Sequence, residues 1–125
     1  NNYIKGKHMS IINNRKNSAV GVKETYVALL TGALLLDVRE IEEFEAGHVQ
    51  GAINIPLSEL NERYIELDKN DEIHIICKSG GRSAQATEFL ASAGYNVRNV
   101  SGGSLDWYSE ELPFISENGE EPTVL

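Results

Sequence analysis

The stretch IHIICKSGGRSAQATEFLASAG, residues 73–94, decides how the chain folds. Ile73, His74, Ile75 and Ile76 form a short β-branched run of the kind that makes a buried strand. Ala86, Phe89, Leu90 and Ala93 then recur at i, i+3, i+4 and i+7, the spacing of one helix face. Gly94 supplies a left-handed C-terminal cap. Between strand and helix lie the only cysteine of the chain, Cys77, and the basic, glycine-rich turn that follows it.

The same alternation extends in both directions. Upstream, Val22, Tyr26, Leu29 and Leu30 mark one helical face, and Leu34 to Val38 reads as a buried parallel strand. Residues 42–46 suggest a short helix ended by Gly47, and 52–55 a strand stopped by Pro56. Ser58 is placed to cap a helix whose apolar positions are Leu60, Tyr64 and Leu67, and 68–72 is a polar turn. Downstream, 97–100 is a fourth strand, Gly102-Gly103 a turn, and Leu105, Tyr108 and Leu112 a last amphipathic segment. Strands alternating with helices predict right-handed crossovers and a mainly parallel sheet covered on both faces. Ligands of such sheets bind beyond the carboxyl ends of the strands, where Asp37 and Cys77 both fall.

Composition narrows the function classes. The 125 residues fit one domain, and a hydrophobic content of 41% is enough for a real core. A single cysteine forms no internal disulfide, so a reducing cytoplasm is expected. His8, His48 and His74 lack the short ligand spacing of a zinc site, and no metal is expected. The formal charge of -8 argues against nucleic acid or an anionic membrane as the main partner, while leaving room for a local positive pocket. The longest apolar stretch, residues 26–36, is broken by Thr31-Gly32 and too short to span a bilayer. Residues 1–19 read as a leader and loose arm, with 1–8 vector-derived and Met9 the native start. The domain is expected over 20–115, with 116–125 a frayed acidic tail.

The chemistry concentrates at the loop. A thiolate, not a thiol, is the nucleophile, and an ordinary thiol is mostly protonated at neutral pH. Gly80 and Gly81 let the backbone curl so that N–H groups point inward as an anion-binding nest. A helix starting near Ser83 aims its positive end at the same space, and Lys78 and Arg82 add charge at the rim. Such a cradle stabilises both a thiolate and an anionic substrate.

Three ordered segments, LLDVREIEEFEAGHVQGAINIP, ICKSGGRSAQATEFLASAGYNVRNVSGG and DWYSEELP, resemble a single-domain rhodanese from about Val20 to Phe114. The resemblance implies a rhodanese-like three-layer α/β/α sandwich with a mainly parallel five-stranded sheet. It implies that Cys77 opens a six-residue loop ending at Arg82, and that Lys78, Ser79, Gly80, Gly81, Arg82 and Ser83 bind the substrate. Cys77 would take the outer sulfur of a small anionic donor such as thiosulfate as a persulfide. It would pass that sulfur to cyanide, a thiol or a protein acceptor, with neither metal nor organic cofactor. Asp37 and Arg39 resemble a supporting pair near the mouth of the site, with Asp37 an organiser of loops.

Blander readings stand beside these. Cys77 is alternatively a small buried hydrophobe, Lys78 ordinary surface charge, and Arg82 the partner of a carboxylate that holds the loop. His48 is read as structural, Trp107 as core, and the glutamate-rich helices as solvated faces. A cysteine phosphatase or arsenate-reductase-like enzyme of the same fold is disfavoured, because four residues rather than five separate Cys77 from Arg82. A non-catalytic binding module is disfavoured by the presence of the cysteine.

Overall fold

The computed structural model describes residues 19–125, so the leader and most of the arm lie outside the described residues. Five parallel strands form the central sheet. They are β1 (Ala19–Val20), β2 (Leu34–Asp37), β4 (Ile53–Asn54), β5 (Glu72–Ile76) and β6 (Asn96–Val100), ordered β1-β6-β5-β2-β4. Helices α1 (Val22–Leu30), α2 (Ile41–Ala46), α3 (Leu57–Arg63), α4 (Gly81–Ser92) and α5 (Gly103–Ser109) fill the connections. A small antiparallel ribbon joins β3 (His48–Val49) to β7 (Phe114–Ile115). This is the three-layer sandwich expected. No helix among the described residues is long and apolar enough to cross a membrane.

Strand alternation sorts the core into two halves. Leu36, Ile73 and Ile75 join Leu60 of α3 and Ala86 and Leu90 of α4 on one face. Leu35 and Ile76 join Val22 of α1 and Trp107 of α5 on the other. Because Ile76 faces α5, the next residue, Cys77, faces α4. Gly94, at φ +95°, closes α4 as expected, and the Tyr95 N–H returns to the Leu90 carbonyl at 3.0 Å.

Several local expectations need correction. Ala19 belongs to the sheet rather than to a loose arm, since it pairs with Asn99 of β6. Two residues were too few to leave a strand signature. Ser58 is not a cap: α3 starts at Leu57 behind Pro56, and the Ser58 hydroxyl donates to Glu40 at 3.2 Å instead. In α5 the buried residues are Gly103, Ser104 and Trp107, whereas Leu105 and Tyr108 are exposed. The small residues turn inward because that end of the helix lies against the backbone of Lys78 and Ser79. Leu30 is likewise exposed, and Thr25 takes the inner position of α1.

The acidic tail folds back on α2 rather than extending away from the domain. The Glu117 N–H donates to the Glu45 carbonyl and the Thr123 N–H to the Ala46 carbonyl, both at 3.0 Å. Gly47 follows α2, and glycine stands there because a Cβ would run into Thr123 and Phe114, since the extended φ of 175° itself needs no glycine. Ile75 is fully buried at the centre of the sheet. Ile75→Ala is therefore expected to destabilise the protein by about 2–5 kcal/mol in urea unfolding, through lost burial plus the cavity left behind.

Candidate active site

Cys77 follows directly on β5, and its Sγ lies beneath the first turn of α4. That helix starts at Gly81, two residues earlier than the sequence suggests, and Gly80 caps it with no side-chain bond. A helix N-terminus leaves N–H groups without partners. Here the sulfur receives them: the Gly80 N–H donates to Sγ at 3.1 Å, and the Ser83 hydroxyl lies 3.3 Å from it. Burial pushes the Cys77 thiol up, but the Ser83 hydroxyl and the N–H groups of Ser83, Gly80 and Ser79 outweigh it, and its pKa is lowered. The nest expected from sequence is present, with Ser83 as a direct partner of the sulfur.

The two loop glycines differ in role. Gly80 sits at φ +110°, and a Cβ on it would strike the carbonyl of Ser101. Gly81 is an ordinary helical residue with open space beside it. A further glycine, Gly103 (φ +63°), does more than make the turn its sequence suggests. Any Cβ there would strike the Lys78 carbonyl. That close approach lets the Ser104 N–H reach the Cys77 carbonyl at 2.8 Å and the Leu105 N–H reach that of Lys78 at 3.1 Å. Behind the loop, the Thr87 hydroxyl donates to the Ser83 carbonyl at 2.7 Å, and the Asn99 amide to that of Gly80 at 3.3 Å.

Asp37 and Arg39 are both fully buried. The Arg39 Nη2 donates to Asp37 Oδ2 and to the Gly47 carbonyl, each at 2.8 Å, and its Nε reaches Asp37 Oδ1 at 3.0 Å. The Asn54 amide spans the carbonyls of Asp37 and Arg39 at 2.9 Å. The pair is thus an organiser that locks the end of β2 to the α2–β3 corner. It touches the site through the backbone, where the Val38 N–H meets the Ile76 carbonyl at 3.0 Å.

Arg82 is not a free cation at the rim. Its two terminal nitrogens clasp Glu43 of α2 at 2.7 and 2.9 Å. That hydrogen-bonded carboxylate raises the Arg82 pKa, and Arg82 in turn lowers that of Glu43. Sequence reasoning missed Glu43, because one glutamate among Glu40, Glu42, Glu43 and Glu45 carries no mark of its partner. Lys78, next to Cys77 in the chain, is half-buried, and Ser79 is exposed. His48 is structural, stacked on Phe44 at 3.7 Å with Nδ1 2.6 Å from the Phe44 carbonyl. Trp107 is core, 1% exposed.

The family model for the rhodanese-like domain matches residues 22–110. The chain belongs to the rhodanese-like domain family. It is 38% identical over 121 residues to thiosulfate sulfurtransferase 18 of Arabidopsis thaliana, covering 85% of this chain and 88% of that one. It is 50% identical over 74 residues to the putative sulfur carrier protein YrkF of Bacillus subtilis, where the match covers 58% of this chain and only 40% of that protein. Among solved structures, a rhodanese-related protein from Thermoplasma volcanium superposes with a TM-score of 0.74 at 36% identity, covering 78% of this chain and 97% of the other. These matches agree with the fold.

Two consequences follow for the rhodanese-like loop. Gly80→Ala should lower stability by more than about 2 kcal/mol, adding left-handed strain to a backbone collision, whereas Gly81→Ala should not destabilise. Thermal unfolding of the two variants distinguishes them. Ser83→Ala removes a donor to the anion, so Cys77 should ionise at higher pH. Its alkylation by iodoacetamide near neutral pH is expected to slow several-fold, read as rate against pH.

Proposed function

We propose that the chain is a sulfurtransferase that carries a sulfane sulfur as a persulfide on Cys77. One observation carries the reading: the only thiol of the chain lies at the N-terminus of a helix that no side chain caps, where the Gly80 N–H and the Ser83 hydroxyl face its sulfur and lower its pKa. Membership of a family with a relative named thiosulfate sulfurtransferase supports the same chemistry.

In the first half-reaction the Cys77 thiolate attacks the outer sulfur of thiosulfate. The new Sγ–S bond forms as the S–S bond of the donor breaks, and sulfite leaves with the electron pair. No proton is needed, and the negative charge ends on the outer sulfur of the persulfide. The N–H groups that face Sγ also suit that charge. In the second half-reaction a nucleophilic acceptor, cyanide, a thiol or a protein thiolate, attacks the outer sulfur and the Cys77 thiolate leaves. Lys78 is the cation we assign to the anionic donor, with the loop backbone of Ser79, Gly80 and Gly81 around it. Arg82 and Ser83 shape the first turn of α4, and Asp37 with Arg39 supports the loop from below. A thiol that must stay reduced between turnovers favours the cytoplasm.

Incubation with thiosulfate should add one sulfur atom to the intact mass, and cyanide should remove it with release of thiocyanate. Cys77→Ser should fold normally and lose both signals, because an alkoxide oxygen forms no persulfide. Sulfur transfer by a folded Cys77→Ser protein would defeat the proposal.

A further inference from the structure

Arg82 and Glu43 come from different layers of the chain's order. Arg82 sits in the first turn of α4, next to Ser83, and Glu43 sits in α2. Their fork-on-fork contact, at 2.7 and 2.9 Å, consists of two charge-assisted bonds and is electrically neutral. Glu43 is itself held. Its carboxylate accepts the Glu40 N–H at 3.0 Å, and the Glu40 side chain in turn accepts the Ser58 hydroxyl and closes the capping box of α2. The other charged groups that act on the pair are Cys77, Asp37 and Arg39. Lys78 holds no ion pair among the described residues. While Arg82 holds Glu43, its remaining N–H groups belong to a neutral pair, and giving its full charge to an anionic donor would mean breaking both bonds and leaving a half-buried carboxylate unpaired.

We propose that Glu43 is a positioning residue of the sulfur-transfer site: it binds Arg82 as a neutral pair, anchors the first turn of α4 over Cys77, and leaves Lys78 to meet the donor. The inference rests on the sulfurtransferase reading and assigns a division of labour within that site. Removing either charge alone changes the field at the sulfur, in opposite directions. Removing both leaves that field nearly unchanged while the anchor is lost.

The test compares Glu43→Gln, Arg82→Gln and the double variant, each shown to be folded by circular dichroism. Two measurements are made: the pH dependence of Cys77 alkylation by iodoacetamide, and KM and kcat with thiosulfate and cyanide. Glu43→Gln leaves Arg82 uncompensated, so the alkylation midpoint falls and KM for thiosulfate drops about threefold or more. Arg82→Gln leaves Glu43 uncompensated, so the midpoint rises and KM increases by a similar factor. The double variant returns both quantities close to the wild-type values, while kcat is reduced in all three. A double variant whose KM is raised as far as that of Arg82→Gln would make Arg82 a direct ligand of the donor and overturn the proposal. Wild-type midpoint and KM in Glu43→Gln would overturn it as well. If Glu43→Gln does not fold, Glu43→Asp keeps the charge and shortens the reach. It should then keep the midpoint and lower kcat, and a shifted midpoint would count against the pairing. The alkylation profile needs no sulfur donor. Absence of turnover with thiosulfate would sink the functional reading and still leave the charge pairing tested.

Discussion

The contact between the Cys77 sulfur and the N-terminus of α4 is the constraint around which the rest of the molecule is arranged. A helix start needs acceptors for its first N–H groups, and serine, threonine or aspartate usually provides them. Gly80 has no side chain to offer, so the sulfur takes that place. The exchange serves both partners: the helix gains an anionic acceptor, and the anion gains donors already aimed at it. It requires β5 to end one residue before the cysteine, Gly80 to turn with positive φ, and α5 to approach the loop without a Cβ at Gly103.

Around that contact the charges are paired in layers. Burying Asp37 and Arg39 costs several kcal/mol of desolvation, and loss of either would strand the other. Their bonds to Gly47 and their bridge through Asn54 convert the pair into a joint between β2, β4 and the α2–β3 corner. Glu43 then extends from that corner to Arg82. A chain with a formal charge of -8 thus carries a loop in which the nearby acids are already matched to arginines. The local field at the sulfur is set by the Ser83 hydroxyl and the backbone donors of the loop, not by the overall charge.

The periphery protects the same geometry. The β3–β7 ribbon and the returning tail pack on the far side of Gly47, the residue whose carbonyl Arg39 binds. Elsewhere in the sheet, buried His74 bridges Thr25 of α1 at 2.7 Å and Glu72 at 2.7 Å, fastening α1 to the start of β5. Polar bonds of this kind hold elements in register where apolar contact alone would let them slide.

Much of this was written in local pattern. The run 73–76, the stripe Ala86, Phe89, Leu90 and Ala93, and the stop at Gly94 are each decided by neighbours within a few residues, so strand, helix and cap could be read directly. The alternation of such units dictates a parallel sheet, and a parallel sheet puts Asp37 and Cys77 at its carboxyl edge. The sequence by itself therefore determined the layers, the location of the loop and the identity of its nucleophile candidate. What it left open depends on partners distant along the chain. Ala19 is a strand only because β6 lies beside it, and the tail folds back where the end of α2 offers it carbonyls. Leu105 and Tyr108 face outward because Gly103 and Ser104 must face the loop. Arg82, readable as an anion ligand or as half of an ion pair, became the latter when Glu43, thirty-nine positions earlier, was brought within 2.7 Å. Backbone pattern is encoded by short-range preference, whereas the choice between two partners for one charge is made only where folding sets the distances.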